Sequence, residues 1–103
     1  MVALIVIKIL FMNNMEKLTS MNKILRELED VSNSSTALLK KIAQVETENI
    51  NLGNKILEEK IPDVFEHMNG VLTETGSLLT EFTAFRDKFV VDNKLEEVAE
   101  PVA

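Results

Sequence analysis

Residues 38–62 decide the fold of this chain and read LLKKIAQVETENINLGNKILEEKIP. Apolar side chains recur in this stretch at alternating intervals of four and three. The residues on this line are Leu38, Ile42, Val45, Leu52 and Ile56, with the polar Asn49 among them. Such spacing is typical of a helix that buries a narrow stripe against another helix.

A second apolar line follows Pro62 at the same intervals. Its members are Val64, Met68, Val71, Leu78, Phe82, Phe85 and Phe89, with Thr75 filling one gap. Pro62 removes a backbone donor and clashes with the carbonyl four residues earlier, and it should push Ile61 away from helical geometry. Gly53 only weakens a helix, by about 1 kcal/mol relative to Ala. We therefore predict an all-α protein of elongated amphipathic helices, or a coiled coil, with a helix break at Pro62.

Four segments follow from these patterns. A coiled-coil helix is predicted over residues 15–61 and a second amphipathic helix over 62–90. In the first part of the first helix the apolar line consists of Leu18, Met21, Leu25, Leu28 and Val31. The interval from Leu28 to Val31 is three residues where the heptad pattern requires four, an irregularity known as a stammer. The polar run at 32–36 either interrupts this helix or weakens it without a stop, and we favour the continuous helix. Residues 91–103 form an acidic tail that we expect to be disordered.

Residues 1–14 form an apolar segment with four competing interpretations. The run is short for a transmembrane helix, and it lacks the basic start of a signal peptide. It could also be an extra segment packed by partners, or the product of a start site upstream of Met12 or Met15.

Composition excludes several classes of function. A formal net charge of −6 disfavours nucleic acid and anionic membrane surfaces, and the absence of cysteine excludes disulfides and thiolate metal sites. His67 is the only histidine and has no companion ligands at suitable spacing, so we expect no metal and no cofactor. No nucleophile, base or metal constellation is present, and we predict a protein that is not an enzyme.

The two apolar lines are predicted to form an interface with partner helices. The residues are Leu38, Ile42, Val45, Asn49, Leu52, Ile56, Val64, Met68, Val71, Leu78, Phe82, Phe85 and Phe89. Asn49 either fixes the helix register or turns to the surface. The Phe cluster is a coiled-coil core or, alternatively, one wall of a peptide-binding groove. The expected partners are helical subunits of a hetero-oligomeric complex.

The residues ILEEKIP at 56–62 resemble the segment before the final helix in the cappuccino subunit of the complex for biogenesis of lysosome-related organelles. The comparable region covers residues 18–90. This resemblance implies a non-catalytic subunit of a cytosolic helical complex in endosomal sorting. Membrane contact would then be peripheral or through partners.

Two alternative functions are compatible with the same helical pattern. One is a small helical subunit of a spindle or kinetochore assembly, such as the fungal DASH ring. The other is a coiled-coil adaptor tethered to a membrane through residues 1–14.

Overall fold

The computed structural model describes residues 2–95, with side chains placed at 3–6 and 13–95. Helix α1 spans Val2–Leu52 and helix α2 spans Lys55–Asp92. The described residues contain no strand, so the predicted all-α, coiled-coil-like fold is confirmed.

The break between the helices lies at Gly53 and Asn54, and the predicted break at Pro62 is wrong. Gly53 adopts a φ of 67°, a left-handed conformation that glycine reaches without a steric penalty. Its N–H donates to the Asn49 carbonyl over 2.7 Å and closes α1. Asn54 then caps α2, because its Oδ1 accepts the Leu57 N–H over 3.1 Å. The predicted boundary between residues 61 and 62 therefore moves to this turn.

Pro62 lies inside α2, seven residues after its first residue. An interior proline costs a helix about 3 kcal/mol, because the carbonyl four residues earlier loses its donor. Ile61, next to it, remains helical and is buried, which is worth roughly 1.5–3 kcal/mol. Burial of Ile61 can therefore offset most of the cost of Pro62. Because the Pro62 ring itself is exposed, no packed neighbour has to move to accommodate it.

The polar run at 32–36 does not interrupt α1, as expected for the continuous helix. Ser35 is buried and Ser32 is half-buried, whereas Val31 is 45% exposed. The buried line therefore passes from Leu28 to Ser32 and Ser35 at regular intervals of four and three. No stammer exists, and the predicted place of Val31 on this line is wrong.

The described chain forms two compact units. We call Met1–Glu27 with Thr80–Ala103 the terminal unit, and Leu28–Leu79 the turn unit. The terminal unit has an apolar core of Leu18, Val90 and Leu95, against which Met15 and Phe89 pack.

Helix α2 ends in the terminal unit with a Schellman motif. The Leu95 N–H donates to the Val90 carbonyl over 2.8 Å, and the Lys94 N–H to the Val91 carbonyl over 3.1 Å. Lys94 takes the left-handed position, with a φ of 55°. Leu95 is fully buried, so the predicted disorder is wrong for residues 91–95. Residues 96–103 lie outside the described part.

The apolar segment at 1–14 is helical from Val2 onward, as part of α1. Leu4, Ile5 and Val6 are exposed. Among the helices of residues 2–95, none combines the length and apolar character that crossing a bilayer requires. The choice among the remaining interpretations of this segment stays a prediction.

Candidate partner-binding surface

The structure divides the thirteen predicted interface residues into two groups. Five are buried or half-buried: Ile42, Asn49, Met68, Phe82 and Phe89. Eight are 42–71% exposed: Leu38, Val45, Leu52, Ile56, Val64, Val71, Leu78 and Phe85. The predicted seam therefore follows the edge of the intramolecular contact rather than its centre.

Adjacent apolar pairs explain this displacement. At 38–39, 71–72 and 78–79 the seam prediction uses the first residue of each pair, whereas the structure buries more of the second. Leu39, Leu72 and Leu79 are half-buried, and the sequence analysis missed them as contact residues. The pairs were a usable signal, because an apolar arc wider than a two-helix seam is typical of helices with more than one neighbour.

Seven exposed residues form what we call the outer apolar surface of the turn unit. They are Val31, Leu38, Val45 and Leu52 on α1, with Val64, Val71 and Leu78 on α2. The spacing is seven residues within each helix. Val31, Leu38, Val71 and Leu78 each immediately precede a half-buried residue of the contact between the helices, such as Ser32, Leu39 or Leu72. The same flank of both helices is therefore apolar.

The two stripes lie on one face of the turn unit. Because only Gly53 and Asn54 separate α1 from α2, the helices of this compact unit run antiparallel. Two antiparallel neighbouring helices are related by a rotation of 180° about an axis perpendicular to the plane that contains both. This rotation leaves each residue on the same side of that plane, so the corresponding flanks of α1 and α2 lie on one face. The opposite face carries Thr36, Ala43, Asn69 and Gly76, and its one large apolar residue is Ile50 beside the turn.

Asn49 is buried and clamps the turn. Its Nδ2 donates to the Asn54 carbonyl over 3.1 Å, and its Oδ1 accepts the Asn54 N–H over 2.9 Å. Both polar atoms are thus satisfied by the turn backbone. Asn49 fixes where the chain reverses and, with it, the pairing of α1 with α2.

The terminal unit carries a separate apolar feature around the Phe cluster. Phe82 and Phe85 stack with ring centroids 6.0 Å apart and planes 10° apart. Phe82, Met21 and Ile24 line an open groove of about 620 Å³, whose other lining residues are mostly polar. Phe85 is 57% exposed.

Polar contacts fix the helix pairing within the terminal unit. Arg86 Nη1 donates to Asn22 Oδ1 over 2.7 Å, and Asn14 Nδ2 donates to Asn93 Oδ1 over 3.1 Å. Both bonds join α1 to α2 in the same antiparallel register. The guanidinium is largely shielded and also contacts Asp87.

Within the described residues, no group of three His, Asp or Glu side chains is placed to hold a metal ion. His67 is exposed on α2. The ion pairs Lys55–Glu58 and Lys88–Asp92 are exposed, and such pairs contribute about 0–1 kcal/mol each.

The chain was compared with protein-family models, curated proteins and solved structures. None of them matches.

Proposed function

We propose that this protein is a non-catalytic helical subunit of a hetero-oligomeric complex. Its partners would be helical proteins that pack against apolar side chains which the isolated chain leaves open. The proposal includes no cofactor and no nucleic acid, and it places the protein in the cytoplasm.

The exposure of Phe85 is the observation that carries this proposal. The protein has no Trp or Tyr, and its aromatic side chains are five Phe residues. Phe85 exposes more than half of its surface and is stacked on Phe82, which lines the open groove together with Met21 and Ile24. A rigid aromatic residue beside a groove fits the way a partner helix inserts its own apolar side chains.

The resemblance of residues 56–62 to the cappuccino subunit supports a place in endosomal trafficking. In the turn unit, this segment crosses the first two turns of α2 and includes the buried Ile61. We propose that the complex acts in lysosome-related organelle biogenesis, with the protein reaching endosomal membranes through its partners.

Affinity purification of the tagged full-length protein from cells tests both statements. Phe85→Glu should abolish the recovery of stoichiometric partners, because a charge would be buried at the contact. Ala84→Glu adds the same charge at a neighbouring exposed residue and should leave recovery unchanged. Far-UV circular dichroism checks that both variants remain helical.

Three results would contradict the proposal in different ways. Full recovery of partners with Phe85→Glu would exclude the Phe pair as the contact. The absence of any stoichiometric partner would refute the complex itself. Recovery of microtubule-binding proteins in place of endosomal ones would refute the trafficking role and favour the spindle alternative.

A further inference from the structure

The outer apolar surface of the turn unit is large enough for a weak protein contact. Its seven side chains, Val31, Leu38, Val45, Leu52, Val64, Val71 and Leu78, are 42–71% exposed. Leu38, Val45, Leu52, Val64 and Val71 lie where two antiparallel copies can overlap. These five offer roughly 450 Å² of surface, so two such faces reach roughly 900 Å², the size of a weak interface. Neighbouring side chains that become covered would add to this area.

The inside of the turn unit gives a second reason to expect a cover. Its buried side chains are Ser35, Asn49 and Thr75 with a single large apolar residue, Ile61. Polar side chains contribute little hydrophobic stabilisation, and the apolar residues between the helices, such as Leu39, Ile42 and Leu72, are only half-buried. A contact on the outer surface would bury more of the apolar area of this unit.

The shape of the surface favours a pair of helices as its cover. Both α1 and α2 contribute a stripe, so the face is two helices wide. Two hairpins that meet through such faces make a four-helix bundle. The opposite face is mostly polar or small, so the association closes at two copies rather than continuing as a filament.

The charges beside the surface are complementary to themselves. Lys41 lies four residues before Val45, and Glu48 lies three residues after it, on the outer side of the α1 stripe. Neither forms an ion pair within residues 2–95. A twofold axis near Val45 would bring Lys41 of each copy opposite Glu48 of the other.

The apolar residues obey the same symmetry. Leu38 and Leu52 lie seven residues on either side of Val45. On α2, Leu57 and Val71 lie seven residues on either side of Val64. Val45 and Val64 are also at similar distances from the turn, eight residues before Gly53 and ten after Asn54. One axis can therefore serve both helices.

We propose that a second copy of this chain covers the part of the outer apolar surface nearest the turn, namely Leu38, Val45, Leu52, Val64 and Val71. The two copies pack antiparallel about a twofold axis that lies in the interface and passes near Val45 and Val64. Val45 meets its counterpart, Leu38 meets Leu52 of the other copy, and each copy contributes Lys41 and Glu48 to two ion pairs.

Single cysteines test this geometry, since the natural chain has none. A disulfide requires Cα atoms within about 7 Å. Val45→Cys should therefore form a disulfide-linked dimer under mild oxidation. Leu38→Cys alone should not, because its two copies would lie about 20 Å apart along the helices. A mixture of Leu38→Cys and Leu52→Cys should form a mixed disulfide dimer.

Charge reversal tests the same contact without cysteine. Sedimentation equilibrium should show a dimer for the unmodified full-length chain. Lys41→Glu should weaken it several-fold by placing like charges opposite Glu48, and adding Glu48→Lys should restore the affinity. A combination of Lys41→Glu with Glu29→Lys keeps the net charge but not the pairing, and it should remain weak.

Several outcomes would overturn the proposal. One is a chain that remains monomeric at about 100 µM. Another is a dimer in which Val45→Cys does not cross-link. A third is efficient cross-linking of Leu38→Cys alone. A Lys41→Glu variant with unchanged affinity would also refute the symmetric pairing. These measurements use the purified chain without other proteins, so their result is independent of the proposed complex and its Phe85 contact.

Discussion

The terminal unit and the turn unit are segments of the same two helices, yet they bury different kinds of side chain. In the terminal unit Leu18, Val90 and Leu95 form an apolar core. In the turn unit the buried positions are occupied mainly by Ser35, Asn49 and Thr75. Helical spacing is equally regular in both units, so periodicity alone does not reveal which stripe becomes the inside. The terminal unit is stabilised by apolar packing, whereas the buried side chains of the turn unit are mostly polar.

Leu18→Ala should have the largest effect on this contrast. Leu18 is 2% exposed, and truncating a buried Leu costs about 2–5 kcal/mol through lost burial and the cavity left behind. The free energy of unfolding, from urea denaturation followed by circular dichroism, measures the loss. Leu38→Ala in the turn unit is the matched control and should cost less than about 1 kcal/mol in dilute protein. Equal losses would mean that the two units are packed alike.

Asn49→Ala should have the next largest effect, because it removes the clamp on the turn. Two hydrogen bonds to Asn54 disappear, and the Asn54 N–H loses its acceptor. We expect a loss of about 1–3 kcal/mol in the free energy of unfolding. Asn51 is exposed and lies two residues after Asn49. Asn51→Ala should therefore change the free energy of unfolding by less than about 0.5 kcal/mol. If both substitutions changed the free energy of unfolding by a similar amount, Asn49 would not be what stabilises the turn.

The two helix ends should respond in opposite directions to changes of about 1 kcal/mol. Lys94→Gly relieves a left-handed residue at the end of α2 and should stabilise the protein by about 1 kcal/mol. Gly53→Ala forces a side chain into the left-handed region and should destabilise it by about the same amount. The Gly53 Cβ would meet no atom within 4 Å, so the backbone alone causes the loss. Thermal unfolding of both variants checks the signs, and two shifts in the same direction would contradict the assignment.

Ser35→Ala should have the smallest effect on the free energy of unfolding. It tests how much a buried polar side chain contributes to the turn unit. Alanine has the higher helix propensity, so the substitution should stabilise α1 by about 0.5 kcal/mol. Ser34→Ala, on the exposed side, gains the same propensity without changing a buried position. The difference between their unfolding free energies measures what the Ser35 hydroxyl contributes. A clear loss on Ser35→Ala would show that this hydroxyl stabilises the unit.

Sequence alone predicts the helices but not how they end. Pro62 was expected to stop a helix, yet the stop occurs at Gly53, where Asn49 and Asn54 satisfy the backbone groups that a turn leaves free. The end of α2 was harder to foresee. A Schellman motif usually announces itself by glycine, and here Lys94 takes that position because Leu95 gains full burial.

The sequence predicts which apolar residues form the candidate surface, but not which side of each helix faces the other helix. Each apolar pair, such as Leu38 with Leu39, offers two lines that differ by one residue, or about 100° around the helix. A sequence does not state which line faces the second helix of its own chain. That choice depends on the turn, because the clamp at Asn49 fixes which sides of α1 and α2 meet. The rest of the apolar arc stays exposed.

The seven-residue spacing of the outer apolar surface has a consequence for handedness. A straight α-helix drifts by about 20° for every seven residues, so the stripe from Val31 to Leu52 would rotate by about 60° along α1. Helices that wind around each other with a left-handed supercoil cancel this drift and keep the stripe in line with its cover. A partner helix with an eleven-residue repeat forms a right-handed supercoil, and it would lose contact with the stripe after two or three helical turns. A helical cover of the kind proposed above would therefore have to wind around this surface with a left-handed supercoil.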